Sequence, residues 1–455
     1  MDRRPNILLV IVDDLSSCQL GCYGSSYYET PHLDAFAGQG IRFDRAYATG
    51  PVCSPARAGI YTGRHPARLH LTNYIPGTVP ANPRLITPDW QKGLPVYEQT
   101  LGDIFKAQGY ETAHIGKWHL GKDYHYEPHR PMDPESHGFD EVFVTRKPKP
   151  HFDPEDDAHN VQKLTDRTIA FLRRPRDKPF LCVLAHNTIH RPEMAPSTYL
   201  ERFQNKIPRE MEWIHPTQAA MVAELDDTFG RLMQALDQSN QREDTIVVFT
   251  ADHGAYADSA VRKPWRGAKS DLYEGGLRVP FLLRWPGGLD GGRVFEGPVS
   301  LADLLPTLVD MTGTSLPEVE LDGRNLLPAL SGGSEIYEPE AFFWHYPHYH
   351  HTGLGPCGSA LRGRHKLIEW FEGSMGNSNA VSAFELFDLE EDPWEENDLA
   401  GEYPELVETL AASLRDWRRR VGAQEMAPNW EFDERRGGQR AEPPPGDRGA
   451  PGRAN

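Results

Sequence analysis

Cysteine is scarce in this chain: 455 residues hold five, Cys18, Cys22, Cys53, Cys182 and Cys357. An odd, scattered set is no disulfide framework, and the lack of any Cys-x-x-Cys pair leaves zinc and redox motifs without support. Cys18 and Cys22 read as two ordinary packed thiols. Long apolar runs are missing too. No stretch approaches the ~20 residues that a membrane-spanning helix needs. The early run Ile7–Val12 is too short for a secretory leader, ends in Asp13-Asp14 and lacks a small-residue cleavage site. A buried strand is expected there, in a protein that is either cytoplasmic or exported by a leader outside this sequence. Basic residues are in deficit: 48 Lys and Arg face 66 Asp and Glu, a formal net charge of -18. That excludes general binding to nucleic acid or to an anionic membrane. A small anion could still be a substrate, but only where positive charge is concentrated at the bottom of a pocket. No internal repeat is found.

Glycine and proline, by contrast, are plentiful, at 41 and 39 residues. Loops are therefore many and long, and such loops are where sites are built. The length exceeds what one core serves, which predicts a large domain, residues 1–334, and a smaller one, 335–431. In the first, Ile7–Val12, Phe180–Leu184, Thr245–Thr250 and Val279–Leu283 read as buried strands. Helical patterns at His32–Gln39, Val96–Gln108, Asn160–Arg173 and Thr217–Gln238 lie between them. This order predicts an α/β fold, a large and mainly parallel sheet sandwiched by helices. Residues 84–95 and 120–158 read as loops, and 286–298 as surface turns. Beyond 335, Ala341–Trp344, Ala360–Leu361, Lys366–Trp370 and Phe384–Leu389 suggest short antiparallel strands. The helix Tyr403–Val421 follows, making an α+β unit. Residues 432–455 are rich in Arg, Gly and Pro and are expected to be disordered.

Two strand ends carry acids. Ile7–Val12 runs into Asp13-Asp14, and Thr245–Thr250 runs into Ala251-Asp252-His253-Gly254. Ligands of open parallel sheets bind beyond the carboxyl ends of the strands. Three carboxylates held close need a compensating cation. Oxygen ligands in loose geometry suit Ca2+, and a nitrogen from His253 keeps Mn2+ or Mg2+ as alternatives. Taken singly, Asp13-Asp14 could as well be helix caps or turn acids. A further element is Cys53-Ser54-Pro55-Ala56-Arg57. Here Pro55 suits a first helical position with Ser54 as cap, so Cys53 is expected just ahead of a helix N-terminus, where an anion is favoured.

Cys-x-Pro-x-Arg at residues 53–57, continued by Ala58-Gly59-Ile60-Tyr61-Thr62-Gly63-Arg64, resembles the signature of the formylglycine-dependent (type I) sulfatases. Gly116-Lys117-Trp118-His119-Leu120-Gly121 is similar to that family's second signature. His190 in Asn187-Thr188-Ile189-His190-Arg191-Pro192 matches its Pro-His-x-Pro histidine, with Ile189 in place of the first proline and His186 as a nearby competitor. Lys269, ahead of Glu274-Gly275-Gly276-Leu277-Arg278-Val279-Pro280, matches its lysine before Glu-Gly-Gly-x-Arg-Val-Pro, where Glu274 and Arg278 read as structural. The resemblance runs from about residue 4 to residue 400. One departure is His253, where many members have asparagine.

The resemblance implies an alkaline-phosphatase-like fold and a nucleophile, formylglycine (3-oxoalanine), made from Cys53 by a maturase, the formylglycine-generating enzyme. It implies that Asp13, Asp14, Cys53, Asp252 and His253 hold the metal. Arg57 and Lys117 would stabilise the formylglycine, and His119 would serve as base. His190 and Lys269 would bind sulfate, one of them protonating the leaving oxygen. The stretch from Arg64 to Gly77 looks like bacterial carbohydrate sulfatases of the arylsulfatase and N-acetylgalactosamine sulfatase type. This points to a sulfated carbohydrate or a small sulfate ester as substrate. Candidate sugar contacts are Asn73 and Tyr74, with His345, His348 and Tyr349 in an aromatic and histidine-rich stretch suited to stacking on sugars. The rival readings are a phosphodiesterase or phosphonate monoester hydrolase on the same fold, which His253 leaves open because both those enzymes and some sulfatases carry it, and a non-catalytic binder of sulfated glycans with an unmodified Cys53.

Overall fold

The computed structural model describes residues 4–207, 214–256, 264–316, 318–332, 337, 339–352, 355–375 and 382–436. Its centre is a nine-stranded sheet. From one edge the strands run Arg293–Ser300, Ile41–Tyr47, Phe281–Arg284, Thr245–Ala251, Asn6–Val12, Phe180–Ala185, Glu111–Gly116 and Glu141–Val144, and Arg278–Val279 adds to Ile41–Tyr47. Asn6–Val12, Phe180–Ala185 and Thr245–Ala251 are buried along their whole length, as the unbroken apolar runs require when helices cover both faces. The covering helices fall into two groups. Pro31–Gln39 and Val161–Leu172 pack on Pro216–Gln238, whereas Cys53–Thr62 packs on Leu304–Met311 and Leu101–Ala107.

Four parallel strands stop at one level. Ile11 pairs with Ala185, Val12 with Ala251, and Gly116 with Ala185. The residues that follow are fastened across the sheet: Asp252 N–H donates to the Val12 carbonyl at 3.0 Å, and Lys117 N–H to the Ala185 carbonyl at 2.7 Å. Asp13, Asp252 and Lys117 therefore share one rim.

The expected Val279–Leu283 strand is two strands, broken at Pro280, and both run antiparallel to their neighbours. The expected helix Val96–Gln108 begins only at Leu101, because the Thr100 hydroxyl caps it and Asp103 reciprocates. The expected turns at 286–298 give way to an edge strand from Arg293. Its register shifts between Phe295 and Pro298, which is how an edge accommodates Gly297-Pro298. The loop expected at 120–158 likewise contains the edge strand Glu141–Val144.

The C-terminal part forms a separate antiparallel sheet, Phe342–Tyr346, Cys357–Arg362, His365–Trp370 and Phe384–Asp388, with the helix Pro404–Val421 against it. The two sheets share a core: Tyr47, Leu272, Tyr273 and Leu277 pack with Trp344, Cys357, Ile368 and Phe387. Residues 432–436, expected in a disordered tail, belong to the fold, since Asn82 bonds Asp433 in both directions at 2.8 and 3.1 Å. The rest of that tail, 437–455, and the expected boundary at 334/335 lie outside the described residues. Among the described residues no helix is long and apolar enough to cross a membrane.

Candidate active site

The helix Cys53–Thr62 begins at Cys53 itself, with extended Val52 as the preceding cap residue. Ser54 is not the cap. Its hydroxyl instead accepts the Ile75 N–H at 3.1 Å, which ties the helix to the next loop. Cys53 is thus the first helical residue rather than the one before it, and Pro55 lies inside the first turn. The helix is buried at every position. Gly59 makes this possible, because a Cβ there would lie 2.1 Å from the Thr49 hydroxyl.

Around Cys53 the rim residues converge. Its Sγ lies 3.2 Å from His253 Nε2, 3.4 Å from Lys269 Nζ and 3.5 Å from Asp13 Oδ1. Lys117 Nζ donates to Asp13 Oδ2 at 2.6 Å, and Lys269 Nζ to Asp14 Oδ1 at 2.7 Å. Arg57 lies fully buried beneath the cluster. It donates from Nε to Asp252 at 2.9 Å and from Nη1 to the Lys117 carbonyl at 2.9 Å. Donor atoms of Asp13, Cys53, Asp252 and His253 all lie within 4.8 Å of one another, as do those of Asp13, Asp14, Cys53 and His190. His190 is therefore in the cluster, and His186, buried without a partner for Nδ1, is not among its members.

The electrostatics follow from this packing. Burial pushes the Asp14 carboxyl up to about 7, against the pull of Lys269. Burial also opposes ionisation of Asp13, but Lys117, His190, Lys269 and Arg57 hold that carboxyl well below its ordinary value. For the Cys53 thiol the burial penalty is likewise outweighed, by Lys117 and Lys269, and its pKa lies well below normal. His119 is lowered by burial and by Lys117, which keeps the ring neutral. Its Nε2 faces the Ile75 carbonyl at 2.7 Å and must donate there, so Nδ1 carries the lone pair.

Asn73 is buried, and its Oδ1 accepts the Tyr346 hydroxyl at 3.1 Å. Tyr74 lies edge-on to His350 at 5.6 Å. Three other candidate contacts are engaged elsewhere. His345 Nε2 bonds the Gln424 carbonyl at 2.7 Å, His348 Nε2 bonds Thr72 Oγ1 at 2.7 Å, and the Tyr349 hydroxyl joins Glu372 and the Leu85 N–H. All three are buried; His348 and Tyr349 knit the C-terminal part to the loop 72–85, and His345 bonds the segment after the helix Pro404–Val421. In that stretch His350 is held well below its ordinary pKa by burial and by His351, and it also feels the charges of Lys269, Cys53 and His253. Its signal in the sequence is the same histidine run, in which neighbouring positions were not distinguishable. Tyr124, also missed, stacks on His119 at 5.2 Å.

The chain was compared with known proteins. The family model described as Sulfatase matches residues 5–314, and one described as N-sulphoglucosamine sulphohydrolase, C-terminal, matches 268–420. The chain is 31% identical to arylsulfatase A of Homo sapiens over 462 residues, 90% of this chain and 86% of the other. It is 31% identical to N-acetylgalactosamine-6-sulfatase of Homo sapiens over 379 residues, 75% of this chain and 68% of the other. Among solved structures it resembles the crystal structure of Ps i-CgsB in complex with k-i-k-neocarrahexaose, with a TM-score of 0.74 and 25% identity over 95% of this chain and 96% of that one. The matched span contains the whole cluster from Asp13 to Lys269, and the chain belongs to the sulfatase family, the hydrolases of sulfuric esters.

Proposed function

We propose that the chain hydrolyses a sulfate ester of a carbohydrate of the galactose or N-acetylgalactosamine type. It would do so with formylglycine made from Cys53 and with one divalent cation, Ca2+ rather than Mn2+ or Mg2+. The observation that carries this reading is the convergence on Cys53 of three buried carboxylates and two lysines. The sugar class is supported by the relative named for N-acetylgalactosamine 6-sulfate and by the neighbour that holds a neocarrahexaose.

The donors fit a hard cation. Asp14 Oδ2 is buried without a hydrogen-bond partner. His253 Nδ1 faces the Gly254 carbonyl at 3.0 Å and would donate to it, so that Nε2, turned toward residue 53 and Asp14, would be the nitrogen that ligates the ion. Asp13, Asp14, Asp252, His253 and residue 53 would hold the ion. When present, the cation and the hydrated aldehyde supply an acidified hydroxyl as nucleophile and a counter-charge for sulfate.

The chain's own residues do the rest. Lys117 and Arg57 hold the carboxylates Asp13 and Asp252 in place around residue 53. Lys269 and His190 bind the sulfate oxygens, and one of them delivers the proton to the leaving alcohol. His119, neutral with Nδ1 bare, takes the proton whose loss expels sulfate and restores the aldehyde. Arg57, Lys117 and Lys269 concentrate positive charge in a protein of net charge -18, so fixed local donors, not overall charge, meet the anion.

The test is the mass of the Cys53 peptide from protein co-expressed with a formylglycine-generating enzyme. A loss of about 18 Da marks conversion of thiol to aldehyde. The matured protein is then assayed on an aryl sulfate and an aryl phosphodiester. An unconverted thiol beside an active maturase, or faster turnover of the phosphodiester, overturns the reading.

A further inference from the structure

Lys269 stands on a segment, Arg266–Leu277, that the small sheet grips from its far side. Glu274 in this segment is 1% exposed. Its Oε1 accepts Lys366 Nζ at 2.9 Å and its Oε2 accepts the Tyr47 hydroxyl at 2.9 Å, with Arg278 at 3.5 Å. Lys366, fully buried on the strand His365–Trp370, is also 2.9 Å from Glu395 Oε1. Glu395 closes the ring, because its Oε2 accepts the backbone N–H of Glu274 at 2.7 Å. A second clamp holds the start of the segment. Arg266 donates to the Glu395 carbonyl at 2.7 Å and to Glu385 at 3.3 Å, and the Tyr273 hydroxyl donates to Glu385 at 2.5 Å.

Between the clamps the backbone has no slack. Gly275 N–H donates to the Arg266 carbonyl at 2.8 Å, and a Cβ on Gly275 would lie 2.3 Å from the Gly267 carbonyl oxygen. A Cβ on Gly276 would lie 2.1 Å from the Asp271 carbonyl oxygen. The same segment is bonded to the rim: Lys269 N–H donates to the Ala255 carbonyl at 2.9 Å, and Ser270 N–H to the Pro51 carbonyl at 2.8 Å. Glu274 and Lys269 therefore stand on one tightly bonded segment, held by the small sheet at one end and by the rim at the other.

Stability alone is a poor reason for such a triad. Desolvating buried charges offsets most of what their pairing returns, and burial pushes the Glu395 carboxyl up to about 7; apolar side chains of similar volume serve a core as well or better. What directional, charge-assisted bonds provide is a fixed geometry. We propose that the buried Lys366–Glu274–Glu395 triad is a positioning device for Lys269, through which the small sheet sets where the Lys269 ammonium stands beside residue 53. This rests on the reading of Lys269 as a sulfate-binding residue. Glu274, Lys366 and Glu395 touch no substrate; they act through Lys269.

The experiment is a double-mutant cycle on the full-length, matured protein with an aryl sulfate as probe. Glu274→Gln, Lys366→Met and Lys366→Arg are each made alone and together with Lys269→Ala. Melting temperature and aldehyde content are recorded for every variant. With both near parental values, Glu274→Gln and Lys366→Met should lower kcat/KM by about 10- to 100-fold, the scale of an angstrom-level misplacement. Lys366→Arg should recover most of that loss. In the Lys269→Ala background the triad changes should have no further effect, because their route to the chemistry is gone. An equal fold-loss in both backgrounds would mean a merely structural role and overturn the proposal. So would parental kcat/KM in folded Glu274→Gln. If Lys366→Met fails to fold, Glu274→Gln carries the test, since its amide keeps the volume and one acceptor oxygen, which can still take the Lys366 ammonium proton. Parental turnover by Lys269→Ala alone would instead overturn the sulfate-binding reading of Lys269, which separates the two failures.

Discussion

Replacing Arg57 by methionine removes one charge and little volume from a fully buried place, and its cost can be worked from the contacts. The guanidinium bonds Asp252 and the Lys117 carbonyl, each at 2.9 Å, and its Nη2 lies 3.9 Å from Asp13. Arg57→Met leaves Asp252 without its nearest guanidinium, beside two other buried carboxylates. Breaking one side of a buried ion pair costs about 3–5 kcal/mol. An orphaned buried carbonyl adds about 1–3 kcal/mol, of which relaxation recovers part. A net loss of about 4 kcal/mol is expected in metal-free protein. Under the proposed function a divalent cation replaces some of the missing charge, so with calcium the gap should shrink to about 2 kcal/mol. The assay is urea unfolding of parent and variant followed by circular dichroism, once with EDTA and once with calcium. A gap within about 1 kcal/mol in EDTA, the value of an exposed pair, would refute the reasoning. A gap indifferent to calcium would refute the link between the carboxylates and a cation.

Three further outcomes are expected. His119→Ala should lower kcat on an aryl sulfate by about 10²- to 10⁴-fold while leaving the calcium affinity unchanged, and a parental kcat would remove His119 from the chemistry. Gly116→Ala should destabilise by more than about 3 kcal/mol or prevent folding, because φ is +115° and the new Cβ would lie 1.8 Å from the Ala185 carbonyl oxygen; soluble yield and melting temperature report this. Glu224, 5% exposed, has its carboxyl pushed to about 7 from 4.5 by burial and then by Asp157, Asp227 and Glu155. Its folded pKa exceeds the unfolded one, so its contribution is intact below pH 4.5 and is lost as pH rises through 7. Glu224→Gln should match the parent near pH 4 and gain about 2–3 kcal/mol near pH 8.5, and equal stability at both would count against this account.

The rim residues are readable in the sequence for a physical reason. A strand buried on both faces must be an unbroken apolar run, so its end shows as the first polar residue, as at Asp13 and Asp252. Parallel register then sets such ends side by side. Strand direction is not readable in this way: Phe281–Arg284 looks like its neighbours in composition but runs antiparallel to them. The strand Ile41–Tyr47 escapes notice because Arg42, Asp44 and Arg45 are only partly buried beside an edge. Gly297 and Pro298 hide another edge strand behind turn chemistry. Ser54 resembles a cap by type, but capping depends on the backbone at Val52 and on the pull of Ile75. Among His345, His348, Tyr349 and His350, which ring meets the cluster depends on where the strand Phe342–Tyr346 ends and how the chain turns after it. That geometry is set by the other sheet, not by the stretch itself.

The placing of Asn6–Val12 at the middle of the large sheet has a consequence for how the chain is made. It is synthesised well before its partners, Phe180–Ala185 and Thr245–Ala251. At about 5–20 residues per second, synthesis of the second partner lags by on the order of 10–50 s. Until then a nearly all-apolar strand lacks at least one of its two neighbours, which leaves it open to mispairing. Under the proposed function the same interval leaves Cys53 open: it is 2% exposed in the folded chain, so a maturase would meet its thiol before the later strands close over it.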